Sequence, residues 1–199
     1  MNRLAGARRV STRLESFIRR LEAQRRALDW AVLAVRRIDG IVLELGLGNG
    51  RTYDHLSKRL AGAKPVHAFD RELAAHPRCV PPKGLFHRGE FRVTLREFAR
   101  RYPRQAALVH ADTGSGDARR TAVLARWLGP ALAPLLSPGA LVVSDQALRI
   151  PGAVDVKPPR GVPPGRYFLY RNPSSPPGGA MRPARKRASR TARSGKAPL

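Results

Sequence analysis

Along the first forty residues the apolar positions recur three and four apart. Leu14, Phe17, Ile18 and Leu21, then Leu28, Ala31, Val32 and Val35, fall at helical spacing with arginines between them. Thr12-Arg13-Leu14-Glu15 has the form of a capping box, in which the hydroxyl takes an orphan N–H and the glutamate reaches back. The pattern predicts one or two helices over about 12–38, stopped by Asp39-Gly40. Short apolar runs then alternate with helical stretches. Ile41-Val42-Leu43, Pro65 to Phe69, Gly84 to His87, Ala106 to His110 and Ala140 to Ser144 read as strands. Between them, Thr52 to Leu60, Val93 to Tyr102 and Arg119 to Leu136 read as helices, the last with a break near Gly129-Pro130.

Strands that alternate with helices form βαβ units, and strands apolar on both faces belong to a covered parallel sheet. Right-handed crossovers make that sheet doubly wound. Past Asp145 the alternation weakens. Val154-Asp155-Val156 and Tyr167 to Tyr170 read as two short closing strands, separated by a Pro/Gly-rich stretch. The fold class is therefore α/β, a doubly wound, mostly parallel sheet with an N-terminal helical segment and a reduced C-terminal hairpin.

Composition adds a boundary. From Asn172 to Leu199 the chain is Pro, Ser, Gly, Arg and Lys, with seven basic residues and no acid. So little apolar surface cannot offset chain entropy, and the segment is expected to be a disordered tail behind one domain over residues 1–171. The 199 residues hold 38 Lys+Arg against 14 Asp+Glu, a net +24, and the body without its tail still carries +17. That excess favours non-specific contact with nucleic acid, by the basic tail above all. No apolar run is long enough to cross a membrane. Cys79 is the single cysteine, which excludes a disulfide framework or zinc ribbon. His55, His67, His76 and His87 share no ligand spacing, so no metal is expected. With no apolar segment after the N-terminal arginines, the expected location is the cytoplasm.

The sharpest local signal is Glu44-Leu45-Gly46-Leu47-Gly48-Asn49-Gly50, directly after the first strand and before a helix. Glycines there permit a tight turn and a close approach of ligand to backbone at a helix N-terminus. The spacing lacks the gap and lysine of a P-loop, and its third glycine comes one residue early for a dinucleotide fingerprint. Glu44 would repel a phosphate and favour a cationic amino-acid group. Acids also follow the later strands: Asp70, Glu90 after Gly89, Asp112 and Asp145. Five of the 14 acids thus stand at strand C-termini, the edge where open α/β sheets bind ligands. Some of the five are explained simply as helix N-caps.

The run Glu44-x-Gly46-x-Gly48-x-Gly50, with Asp70 placed 26 residues after Glu44, resembles motif I and the second-strand acid of the Rossmann-like (class I) S-adenosylmethionine-dependent methyltransferases. Glu44 to Tyr53 together with Leu108 to Asp112 is similar to a small bacterial branch of that family with no settled substrate. The resemblance implies a methyltransferase using S-adenosyl-L-methionine. It implies that Glu44, Gly46, Gly48, Asn49 and Gly50 hold the methionine part, Asp70 the ribose hydroxyls, and Gly89 and Glu90 the adenine rim. Asp112 would face methyl transfer as the catalytic residue. The chain departs from the family in having almost no room for a helix after the fifth strand. It also has no Asn-Pro-Pro-Tyr or Asp-Pro-Pro-Tyr after the fourth, which argues against adenine or glutamine N-methylation. Two other classes stay open: a cofactor-binding relic serving as a basic nucleic-acid-binding module, and a nicotinamide-dependent oxidoreductase, which the glycine spacing disfavours.

Overall fold

The computed structural model describes residues 11–114 and 116–174. Helix α1, Arg13–Ala34, starts at the expected capping box: the Thr12 N–H donates to Glu15 Oε2 at 2.8 Å, and the Glu15 N–H to Thr12 Oγ1 at 3.1 Å. It is one helix. Its apolar face differs from the expected one at the start, since Leu14, Phe17 and Ile18 are exposed and the buried face begins at Ala23.

The remaining elements follow in alternation: β1 (Ile41–Leu45), α2 (Arg51–Leu60), β2 (Val66–Asp70), β3 (Phe86–Arg88), α3 (Phe91–Arg101), β4 (Ala106–Ala111), α4 (Ala118–Leu132), β5 (Leu136–Ser144), β6 (Val154–Val156) and β7 (Phe168–Arg171). They build one seven-stranded sheet in the order β3-β2-β1-β4-β5-β7-β6. The first five strands are parallel, and β7 runs antiparallel to both β5 and β6. This is the Rossmann-like methyltransferase fold. The strand order reverses between β1 and β4, so a crevice is set at their C-terminal ends.

Each face of the sheet carries its own core. Leu43, Leu45, Phe69 and Val109 pack under α3 and α4, while Val42, Ala68, Leu108 and Val143 pack under α1 and α2. The period-two alternation of the strands supplies both layers.

Two elements depart from the sequence pattern. Helix α4 does not break at Pro130, which lies inside its last turns and is followed by a 3-10 turn at Ala133–Leu135. Proline has no N–H for the carbonyl four residues back, and the helix ends two residues after it. Strand β5 begins at Leu136, earlier than its apolar run, with an irregular register against β4 where Pro138 and Gly139 interrupt the pattern. The reduced segment after β5 is as expected: residues 145–153 contain no helix.

The tail expected from Asn172 on lies outside the described residues after Ser174. Asn172 itself continues the ladder between β7 and β5. Its N–H donates to the Ala140 carbonyl at 2.9 Å, and its side-chain amide to the Leu136 and Ser137 carbonyls at 3.2 and 2.8 Å. Among the described residues no helix is long and apolar enough to cross a membrane.

Candidate functional site

The glycine loop occupies the crevice between β1, β2 and β4. Gly46 has φ +92°, and a Cβ there would lie 2.4 Å from the Asp112 carbonyl oxygen. That close approach locks the loop to the end of β4. The Gly46 N–H donates to the Phe69 carbonyl at 3.0 Å, tying it to β2 as well. Gly50, with φ +83°, leaves room for Cys79, whose Cβ would be only 2.6 Å from an added Cβ. The Asn49 carbonyl accepts the His76 N–H at 3.0 Å in the same corner.

Gly48 is different. Its φ is +48°, and nothing lies within 4 Å of where a Cβ would be. Its N–H donates to Asp70 Oδ2 at 2.9 Å, while Asp70 Oδ1 accepts the Arg71 N–H at 2.7 Å. The open space over Gly48, bordered by a carboxylate with unused lone pairs, fits a ligand that brings hydroxyl donors to the strand edge. From Asp70 the edge continues outward: its carbonyl accepts the Gly89 N–H at 2.8 Å, and Glu90 pairs with Arg71 Nε at 2.8 Å in solvent. Glu90 also begins α3, at its N-cap position.

Glu44 faces inward. Its side chain is 0% exposed, accepting from Thr52 Oγ1 at the start of α2 and from His110 Nδ1 at 2.8 Å. Burial alone would push the His110 imidazole down, but the Glu44 charge and hydrogen bond, with Asp112 and Asp145 beyond, raise it above its ordinary value. The other ring nitrogen of His110 is buried without a hydrogen-bond partner among the described residues.

On the opposite side of the loop stands Asp112. Its Oδ2 accepts from Gln24 Nε2 at 2.6 Å, and Arg20 Nη1 lies 4.0 Å away. Asp145 clamps the segment after β4, accepting the Thr113 and Gly114 N–H groups at 3.1 Å each and Gln146 Nε2 at 2.9 Å. Burial, with the Asp112 charge added, pushes the Asp145 carboxyl up against the pull of those hydrogen bonds. Tyr167, 2% exposed, is raised by burial and then by Asp112.

The structure thus joins Gly46, Gly48, Asp70, Gly89 and Asp112 into one continuous edge, with Asn49, Gly50 and Glu44 behind it and Glu90 at its outer rim. Gln24, Thr52 and Tyr167 are additions that the sequence pattern did not single out, and Arg20 comes from the α1 cluster of Arg19, Arg20, Arg25 and Arg26, whose spacing in the sequence already marks it as a candidate for phosphate. Gln24 carried a readable signal: it lies on the stripe of Leu28, Ala31 and Val35, an amide among buried apolar positions. Among the described residues no group of three or more potential metal ligands occurs.

A seven-stranded sheet in this order, with a glycine loop at its switch point and an acid at the end of the second strand, defines a Rossmann-like methyltransferase. The model of the S-adenosyl-L-methionine methyltransferase family matches residues 11–172, and the chain belongs to that family. A solved S-adenosyl-L-methionine methyl transferase from Silicibacter pomeroyi DSS-3 is 36% identical, with a TM-score of 0.78 over 82% of this chain and 99% of that one. A methyltransferase from Geobacter sulfurreducens is 16% identical, with a TM-score of 0.47 over 83% and 81%. No curated protein matches the sequence. The protein is an S-adenosylmethionine-dependent methyltransferase with an unidentified acceptor, and neither the nicotinamide nor the relic reading gains support.

Proposed function

We propose that the edge from Gly46 to Glu90 is the cofactor site and that Asp112 serves the acceptor. The observation that carries this is the 2.9 Å bond from the Gly48 N–H to Asp70, beneath open space that any Cβ at residue 48 would enter. S-adenosylmethionine, when bound, supplies an electrophilic methyl group on a sulfonium. Asp70 would receive the ribose hydroxyls as charge-assisted bonds, Gly89 and Glu90 would border the adenine, and the Gly46–Gly50 backbone with Asn49 would carry the methionine part. Glu44 acts from behind: it fixes the first turn of α2 through Thr52 and adds a negative charge beneath a cationic amino group.

Asp112 would orient the acceptor or take its proton, held in place by Gln24 from α1. Catalysis by this chain is then mostly alignment of nucleophile and methyl group, for which contact distances near 3–3.5 Å are required. We place the reaction in the cytoplasm and assign the basic tail, Arg182 to Lys196, to non-specific nucleic-acid contact.

Calorimetric titration with S-adenosylmethionine, S-adenosylhomocysteine and NADH tests the site, with Asp70→Ala beside the natural protein. The first two ligands should bind and NADH should not. The variant should bind S-adenosylhomocysteine at least about tenfold more weakly, because charged hydrogen bonds contribute roughly 1.5–3 kcal/mol each. Unchanged affinity in a folded Asp70→Ala protein would remove Asp70 from the site.

A further inference from the structure

A cavity of about 440 Å³ lies between α1 and the segment that leads into β7. Three guanidiniums line it, Arg19, Arg26 and Arg160, against one carboxylate, Glu22. Its size is in the range of small-ligand sites, roughly 300–1,000 Å³. The charges in it are not spent on one another. Glu22 stands one helical turn from Arg19 and from Arg26 yet pairs with neither, and Arg26 and Arg160 form no ion pair among the described residues.

One wall of the cavity is set by a glycine. Gly161 has φ +86°, and a Cβ there would lie 2.8 Å from Arg26 Nη1 and 2.9 Å from its Cδ. The loop backbone therefore passes close to the Arg26 side chain, which has no carboxylate partner among the described residues. A planar guanidinium without a carboxylate partner can bind oxyanions through two parallel bonds.

The helix that forms one wall also reaches the transfer site: Arg20, next to Arg19, lies 4.0 Å from Asp112, and Gln24 of the same helix donates to it at 2.6 Å. We propose that this cavity binds a phosphate group of the methyl acceptor, with Arg26 and Arg160 as its ligands; the inference rests on Asp112 being the acceptor side of the site. Three guanidiniums match a dianion, and Glu22 offers an acceptor to a hydroxyl or amino donor beside it. A phosphorylated small molecule and a nucleic-acid strand both present this chemistry.

The test titrates full-length protein with inorganic pyrophosphate and with a short single-stranded RNA at fixed salt. It compares Arg26→Ala/Arg160→Ala with Arg96→Ala/Arg100→Ala, which removes the same charge from α3 on the other face of the sheet. Charge-assisted bonds of this kind predict a loss of at least about tenfold for one of the two anions in the cavity variant, and less than about threefold in the α3 variant. Pyrophosphate loss indicates a small phosphorylated acceptor, and loss confined to RNA a strand. Affinity for S-adenosylhomocysteine should be unchanged in both. Arg160→Glu, at an exposed loop position, repeats the test should the double variant fold poorly. Equal losses in the two double variants, no loss, or no binding of either anion to the natural protein overturns the proposal. So does a parallel loss of S-adenosylhomocysteine affinity, which would put these arginines in the cofactor site. If the natural protein binds no S-adenosylhomocysteine, the cofactor-site reading fails, and the anion titrations still decide this one.

Discussion

His67 and His87 share a hydrogen bond of 3.0 Å and pack among Phe69, Phe98 and Tyr102. Burial, then His87 and Arg101, holds the His67 imidazole down at about 4, and burial with Arg101 lowers His87 as well. In the unfolded chain both take up a proton near pH 6.5. Below that value the unfolded state binds protons that the folded state refuses, so stability falls as pH drops from about 6.5 toward about 4. Thermal melts across this window should show a shallower decline for His67→Phe/His87→Phe than for the natural protein. Parallel curves would exclude the pair as a source of acid sensitivity. His110 runs in the opposite direction. Its raised value means that its stabilising contribution is complete at low pH and is lost as pH rises through that value. The sequence shows all three histidines as strand residues, but a strand position does not reveal whether its neighbour is an aromatic ring or a carboxylate from another strand.

At the scale of elements, the glycine loop separates two requirements. Gly46→Ala would drive a Cβ to 2.4 Å from the Asp112 carbonyl, so either β1 and β4 move apart or the turn rebuilds. Overpacking of this sort costs about 1–3 kcal/mol, and the melting temperature should drop accordingly. Gly48→Ala meets nothing within 4 Å and strains only its own backbone at φ +48°, by roughly 1–2 kcal/mol. Its melting temperature should stay closer to that of the natural protein, while S-adenosylhomocysteine affinity should fall by more than in proportion. Calorimetry and melts on the two variants check this contrast, and a Gly48→Ala protein with full affinity would make the loop a structural turn only. The loop's position and its glycines were legible in the sequence, because local turn chemistry and the switch from strand to helix are short-range properties. Which glycine faces a neighbour and which faces open space was not, since it depends on Asp112, contributed by a different strand. The order of strands followed from alternation and handedness. The contact between Gln24 and Asp112, 88 residues apart, needed the packing of α1 across the sheet.

At the scale of the molecule, charge and fold are separable. Removing residues 175–199 deletes the seven basic residues from Arg182 to Lys196 and none of the described structure, whereas Asn172 must stay because it is bonded to the first half of β5. The truncated protein should keep its melting temperature and its affinity for S-adenosylhomocysteine. Its affinity for random-sequence RNA should fall, and the log–log salt slope should flatten by roughly 0.7 for each lost phosphate contact. Loss of cofactor affinity would show instead that the tail covers the site. The buried pair of Glu44 and His110 has a consequence for how such a protein can evolve. Removing either partner alone leaves a buried polar side chain without its hydrogen-bond partner across the sheet, a change that costs about 1–3 kcal/mol, whereas replacing both by apolar residues of similar shape is close to neutral for stability. Intermediates with one substitution are therefore selected against, and across relatives the two positions should change together or not at all.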